Sequence, residues 1–400
     1  MKRILIIGNG VSGINVASNL RKSDRDIEIE IFTDESYHYY PRPRLIDLLA
    51  DRIALEEIFF YRETWYRENN INVHLSSTVN EILPDEKRIV LASGKTFSYD
   101  VLVLANGAKP SLPPIDGVDK SGVFSIRWLD DVLSLKERVK KSGELVVIGG
   151  GLLGLEIASA IQSSGIKVKV IEILPWLLPR QLDETGGRLL KKILESRGLE
   201  VYVNSATEKI LGDGEVSGVV TKDGRIFRCN TIVVSAGIKS NIDLAKNCGL
   251  NTNRGIIVDN YLRTSRGEIY ALGDVAEWEG RIYGIIPPAL DQAKVVASNI
   301  LGETVEYKGT VPSNILKVAG IDLFSIGTID KTEGYEVISS LDEDTGIYKK
   351  FVIDDGKIIG AILLGDRRNA LYIERVVKEG RDISRYKEDI LSDDFDWRRL

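Results

Sequence analysis

Residues 2–13 read KRILIIGNGVSG, and the fold turns on this stretch. The apolar run that ends at Ile7 is the mark of a strand buried on both faces. It runs directly into Gly8-Asn9-Gly10-Val11-Ser12-Gly13, after which a helical pattern continues through Leu20. Ile27 to Phe32 (IEIEIF) then alternates as a second strand, followed by Thr33-Asp34-Glu35. Strand, G-x-G-x-x-G turn, helix and second strand with a carboxylate at its end make a βαβ unit suited to a dinucleotide. Gly8 permits the tight turn, Gly10 lets backbone approach a pyrophosphate, and Gly13 lets helix and strand pack closely. The unpaired amides and dipole of the helix N-terminus hold the phosphates.

The pattern recurs. Leu145 to Ile148 leads into Gly149-Gly150-Gly151-Leu152-Leu153-Gly154, a helix runs on through Ala160, and Val168 to Glu172 closes the unit. One glycine turn arises as readily from packing as from function. Two complete units, each ending in a carboxylate, point to two bound dinucleotides. The expected fold class is α/β, with two three-layered Rossmann-like domains and a small C-terminal α+β domain.

Composition agrees. Four hundred residues suggest two or three domains. Hydrophobic content of 43% and charged content of 28% are globular values. The apolar runs are strand-sized, too short to span a bilayer, and Ile4 to Ile7 is too short for a secretory signal. A cytoplasmic protein without a membrane partner is therefore expected. A net charge of −6 gives no nucleic-acid footprint. Cys229 and Cys248 lack C-x-x-C spacing, and with only His38 and His74 beside them no metal site is evident. The chemistry must come from a cofactor.

Further elements place the chain in a family. Tyr99 to Ala105 (YDVLVLA) precedes Asn106-Gly107-Ala108-Lys109-Pro110, Thr231 to Gly237 reads TIVVSAG, and Ile269 to Ala276 (IYALGDVA) reads as a strand ending in Gly273-Asp274. With the two glycine turns, and in this order, they resemble the two-dinucleotide flavoproteins of the FAD/NAD(P)-dependent pyridine-nucleotide oxidoreductase family over nearly the whole chain. The resemblance implies that Gly8, Gly10 and Gly13 hold FAD, that Gly149, Gly151 and Gly154 hold NAD(P)H, and that Gly273 and Asp274 contact the ribityl chain. It sets Ala105, Asn106 and Gly107 at the family's ATGA element, with Asn in place of Thr, and adds Val79, Lys109, Ala236 and Gly237 to the cofactor-binding set. Thr33 stands where the family usually has its FAD-ribose carboxylate, so Asp34 or Glu35 must serve. Glu172 stands where NADH-preferring members carry an acid, which bonds a ribose 2′-OH and repels a 2′-phosphate, so NADH is expected over NADPH.

Many members carry a reactive cysteine just after the first βαβ unit. Here that segment, Ser36 to Leu45, reads SYHYYPRPRL, without one. Electrons must then leave the flavin directly. YYPRPRL resembles the Y-x-R-P-x-L stretch of NADH:rubredoxin reductases and of the flavin domain of NAD(P)H nitrite reductases, which implies that Arg42 and Pro43 lie near FAD. Leu316 to Gly327 resembles the opening of that group's C-terminal domain, with strands expected near Tyr348–Ile353 and Ile358–Leu364 and a helix near Asn369–Lys378. Two residues are candidates for catalysis. Glu156 falls where relatives place a Glu near the flavin–nicotinamide junction; otherwise it is an acid favoured by the helix dipole. Lys317 either faces the isoalloxazine, stabilising reduced anionic flavin, or is an exposed strand lysine.

The expected domains are 1–111 with 241–310 for FAD, 112–240 for NAD, and 311–400. The expected activity is an NADH:acceptor oxidoreductase whose electrons pass to a small iron-containing carrier, rubredoxin- or ferredoxin-like, from a monomer or homodimer. The alternatives are an NADH oxidase using dioxygen and an NADH-sensing scaffold resembling apoptosis-inducing factor.

Overall fold

A computed structural model describes residues 2–330 and 333–400. It forms two compact units, one of residues up to Leu45, Ile53–Pro110 and Ile238–Thr310, the other of Ile46–Arg52, Ser111–Gly237 and Val311–Leu400.

In the first unit, Arg3–Ile7 is the central strand of a five-stranded parallel sheet. Glu28–Phe32 and then Ile71–His74 lie on one side of it, Val101–Leu104 and then Ile269–Ala271 on the other. Ile4, Leu5 and Ile6 are wholly buried, as the unbroken apolar run requires of a strand covered on both faces. Burial of each such side chain contributes about 1.5–3 kcal/mol. The helices Val11–Ser23 and Ile286–Ile300 pack on each other. A smaller antiparallel sheet, Val79–Leu83, Arg88–Leu91 and Thr96–Ser98, completes the unit.

The second unit repeats the plan. Glu144–Ile148 is central, flanked by Lys167–Ile171 and Glu200–Tyr202 on one side and by Thr231–Val234 and Val123–Phe124 on the other, all parallel. Its antiparallel sheet is Thr207–Leu211, Gly218–Thr221 and Ile226–Arg228.

The same unit contains a five-stranded antiparallel sheet ordered Ser313–Val318, Ile321–Gly327, Lys357–Leu364, Ile347–Asp354 and Glu336–Asp342. The helix Ala370–Glu379 covers it and ends at Gly380, which takes the left-handed conformation at φ 59°. Lys350, almost wholly buried, fastens this sheet to the rest of the unit: its Nζ donates to Asp183 Oδ2 at 2.8 Å and to the Ile329 carbonyl at 3.0 Å. The Tyr348 hydroxyl donates to the same Asp183 oxygen at 2.8 Å. The other carboxylate oxygen caps the helix Glu184–Ser196 by accepting from Gly186 N–H.

One element departs from its sequence pattern. IYALGDVA is not one strand: it stops at Ala271, and Gly273–Val275 forms a 3-10 turn. Gly273 has φ +75°, and a Cβ there would lie 2.1 Å from Ser12 Oγ. Close approach to the first helix therefore decides this turn, and hydropathy cannot show it. Among the described residues no helix is long and apolar enough to cross a membrane.

Candidate functional site

Two cradles are built alike. In each, the first glycine follows the central strand at large positive φ, +109° for Gly8 and +117° for Gly149. A Cβ at Gly8 would meet the Ala105 carbonyl oxygen at 2.3 Å, and one at Gly149 the Ser235 carbonyl oxygen at 2.2 Å. A Cβ at Gly13 would sit 2.0 Å from Gly8 O, and one at Gly154 2.1 Å from Gly149 O. Four of the six glycines are thus fixed by backbone contact. The other two, Gly10 and Gly151, would meet nothing within 4 Å; they leave open space directly before the helices. Each is also a helix N-cap without a side-chain hydrogen bond, and neither helix has an acid in its first turn. The first-turn amides are left for an anionic ligand, which is how such a turn holds a pyrophosphate.

The correspondence extends to strand ends. Gly8 N–H bonds Phe32 O and Gly149 N–H bonds Ile171 O, both at 2.8 Å. Thr33 N–H bonds the His74 carbonyl as Glu172 N–H bonds that of Tyr202, so Thr33 and Glu172 occupy equivalent places. Both are buried. Glu172 accepts Gly150 N–H at 2.6 Å through one carboxylate oxygen and Leu174 N–H at 2.7 Å through the other. It thereby fixes its own glycine turn, and each oxygen keeps further lone-pair capacity. Thr33 offers only a hydroxyl, which accepts Glu35 N–H at 3.3 Å. Asn9 takes the place of Gly150, and its buried amide makes no hydrogen bond of normal geometry, although the Tyr66 hydroxyl lies close enough to interact with it. A buried amide without a well-formed hydrogen bond and an open glycine in one loop suit a dinucleotide diphosphate, which would accept from the amide N–H.

The structure brings several sequence-predicted residues to the first cradle. Gly8 touches Ala105 and the amide of Asn106, and Gly273 touches Ser12 in the first turn of the adjoining helix. Asn106 and Asn241 bond reciprocally, each side-chain amide donating to the other's backbone carbonyl at 2.8 and 2.7 Å. They stand beside the paired strands Ala108–Pro110 and Ile238–Ser240. Gly107 is at φ +61°, and the carbonyl of Asp274 accepts the Ser240 hydroxyl at 2.6 Å. Arg42 is turned onto Glu35, Nη2 to Oε1 2.6 Å, with the Tyr40 hydroxyl joining them. Asp34 and Pro43 are exposed, and Val79 is buried at the start of its strand.

Other candidates are placed elsewhere. Lys109 stands in an exposed ion pair with Asp243 at 3.5 Å. Ala236 and Gly237 are exposed just beyond Thr231–Val234, near Ser235 against which Gly149 packs. Lys317 keeps 60% of its side-chain accessibility and pairs with Asp322 at 3.8 Å. Glu156 is half-buried, and its Oε1 accepts Ala319 N–H at 2.9 Å. Burial raises its carboxyl above the ordinary range, against the pull of that N–H and of Arg52.

Some positioning residues carried no sequence signal. Buried Gln292 accepts Gly273 N–H at 2.7 Å and so holds the Gly-Asp turn. Asn241 and Ser12 are of this kind too. Gln292 and Asn241 are single polar residues that no period or motif marks, and Ser12 fills an x position of the first glycine motif, which leaves the residue there unspecified.

The sequence profile described as pyridine nucleotide-disulphide oxidoreductase matches residues 2–294. The chain belongs to that family. A profile for the rubredoxin NAD+ reductase C-terminal domain matches residues 312–381 of this oxidoreductase. An assimilatory nitrate reductase electron transfer subunit of Bacillus subtilis is 37% identical over 98% of the chain and 51% of its own length; the chain thus spans about half of that relative. An NADH-rubredoxin oxidoreductase of Clostridium acetobutylicum is 35% identical, covering 91% of this chain and 93% of that one. Among solved structures, a ferredoxin reductase from Rhodopseudomonas palustris matches with a TM-score of 0.90 and 26% identity, over 100% of this chain and 99% of that one. Family membership implies FAD and NAD(P)H, and the two cradles fit two such dinucleotides.

The family name refers to a disulphide, yet neither cysteine of this pyridine nucleotide-disulphide oxidoreductase suits redox work. Cys229 is buried, and burial pushes its thiol up to about 12. Cys248 is half-buried at the end of a short helix and is raised for the same reason. Reactivity needs thiolate. At pH 8 a thiol of this kind is ionised on the order of one part in 10⁴, so native Cys229 is expected to resist iodoacetamide and to label only after denaturation. The Cys229→Ser/Cys248→Ser variant is expected to keep its NADH turnover within about twofold; a loss of tenfold or more would show that a thiol carries electrons.

Proposed function

We propose that this protein is an FAD-dependent NADH oxidoreductase that hands electrons to a small iron-containing carrier protein, of the rubredoxin or ferredoxin kind. The observation that carries the reading is the pair of matched glycine cradles in a chain whose two thiols are buried or half-buried and un-ionised. FAD, when bound, takes hydride from reduced nicotinamide and gives electrons up singly.

The chain's own work is binding and orientation. Gly8, Gly10 and Gly13, with the uncapped amides of Val11–Ser23, would hold the flavin's diphosphate, and Gly149, Gly151 and Gly154 that of the nicotinamide nucleotide. Asn106, Asn241, Gln292 and Ser240 fix the loops that border the first cradle. Arg42 and Glu35 neutralise one another close to Tyr40; exposed Asp34, or Glu35 through its remaining lone pairs, would bond the flavin ribose. On the nicotinamide side, a buried carboxylate at Glu172 supports NADH over NADPH, since a 2′-phosphate beside it would meet like charge without water to screen it. Relatives named for rubredoxin and ferredoxin reduction support an iron-protein acceptor.

Rapid anaerobic mixing of the flavin-loaded protein with NADH and with NADPH tests the nucleotide choice. Bleaching of the flavin band at least tenfold more efficient with NADH is expected; equal efficiency would overturn the preference.

A further inference from the structure

Glu156 and Arg197 grip one residue from its two ends. Ala319 and Gly320 form the two-residue turn between the strands Ser313–Val318 and Ile321–Gly327, with φ of +50° and +78°. Positive φ at both positions is the geometry of a type I′ turn, which Asn or Gly adopts readily and alanine does not. Ala319 therefore stays in the left-handed region only because its surroundings hold it there. Two bonds do so. Glu156 Oε1 accepts its N–H at 2.9 Å, and Arg197 Nη1 donates to its carbonyl at 2.8 Å.

Both grips reach back to the nucleotide-binding plan. Glu156 is five residues beyond Gly151, in the helix Leu152–Gln162 whose first amides face the second cradle. Arg197 ends the helix Glu184–Ser196. Lys317 stands two residues before the gripped alanine, paired with Asp322 on the opposite strand. Asp322 also accepts from Arg367 Nε at 3.0 Å. The charged groups acting on Glu156 itself are Arg52 and Asp47.

We propose that Glu156 and Arg197 are positioning residues that clamp the Ala319-Gly320 turn, so that occupancy of the Gly149–Gly154 cradle is relayed to the hairpin carrying Lys317. The relay is short: a diphosphate that orders the first turn of Leu152–Gln162 restrains Glu156, and with it Ala319. This rests on the reading of that cradle as the nicotinamide-nucleotide site.

Amide hydrogen exchange on the flavin-loaded protein, with and without NAD+, tests it. Without nucleotide, the Ala319 amide is expected to exchange about tenfold faster in Glu156→Ala. Glu156→Gln, whose amide oxygen accepts the same N–H, is expected to stay near the parent rate. Arg197→Ala, an exposed change that leaves the fold intact, is expected to speed exchange roughly fivefold. NAD+ is expected to slow Ala319 exchange in the parent and not in Glu156→Ala. Unchanged exchange in both alanine variants would overturn the clamp, and equal slowing by NAD+ in parent and Glu156→Ala would overturn the relay. If NAD+ fails to protect the amides of 149–154, the nucleotide reading falls and the relay with it, while the nucleotide-free arms still judge the clamp.

Discussion

Alanine at Gly154 is expected to leave the flavin bound and reducible by dithionite while cutting its reduction by NADH at least 100-fold in kcat/KM. The added Cβ would lie 2.1 Å from the carbonyl oxygen of Gly149 and 3.3 Å from Val147 Cγ1. The first of these is backbone, so the clash cannot be relieved by a side chain swinging away. Either the helix Leu152–Gln162 lifts from its strand or Gly149 leaves its strained φ, and in both cases the amides that face the diphosphate are displaced. Overpacking of this kind costs about 1–3 kcal/mol in stability, and every 1.4 kcal/mol lost from binding is a further tenfold. Gly151→Ala is the informative companion. A Cβ there meets nothing within 4 Å, so the protein should fold as before, with the methyl group intruding only where the diphosphate approaches. Melting temperature, flavin content and the rate of bleaching by NADH separate the two variants. Normal reduction of Gly154→Ala by NADH would mean that the second cradle is not the nicotinamide site.

The second large effect is on stability. Lys350→Ala should destabilise the unit by about 3–5 kcal/mol, because removing one partner of a buried pair strands the other. Asp183 would keep the Tyr348 hydroxyl and Gly186 N–H but lose its cation, and the Ile329 carbonyl would lose its donor. Lys350 retains only 8% of its side-chain accessibility and Asp183 18%, so water can replace only part of what the ammonium supplies. At about 2–4 °C per kcal/mol for units of this size, the melting point should fall by roughly 10 °C. The double variant Asp183→Asn/Lys350→Met removes both charges and should recover a large part of that loss. A fall of less than 2 °C in the single variant would show that the pair contributes little.

Local backbone rules made the two cradles legible from sequence. Gly13 and Gly154 are dictated by contact with Gly8 and Gly149 inside one strand–turn–helix, so the spacing itself carries that geometry, whereas the carbonyls that close in on Gly8 and Gly149 belong to Ala105 and Ser235, far away in sequence. The strands Arg3–Ile7 and Glu144–Ile148 were legible for the same reason: burial on both faces leaves an unbroken apolar run. The C-terminal helix was marked by Gly380 at its end. What was not legible depends on distant partners. Gly273-Asp274 reads as the end of a strand because nothing near it in sequence announces that Ser12 fills the space a Cβ would need. The Asn106–Asn241 pair joins residues 135 apart and the Glu156–Ala319 bond residues 163 apart. Lys317 alternates along its strand as either an exposed or a site-facing lysine would, and its pair with Asp322 comes from the neighbouring strand of the hairpin.

In the proposed function NADH reduces the flavin and a one-electron iron protein takes the electrons away. Double-mixing stopped flow at the flavin band tests both halves at once: anaerobic protein meets NADH first, then oxidised rubredoxin, oxidised ferredoxin or air-saturated buffer. Fast bleaching by NADH is expected, with recovery at least tenfold faster with one of the iron proteins than with dioxygen. Recovery with dioxygen alone would make the protein an oxidase, and a reduced flavin that none of the three discharges would contradict the reductase reading and leave an NADH-binding sensor in its place.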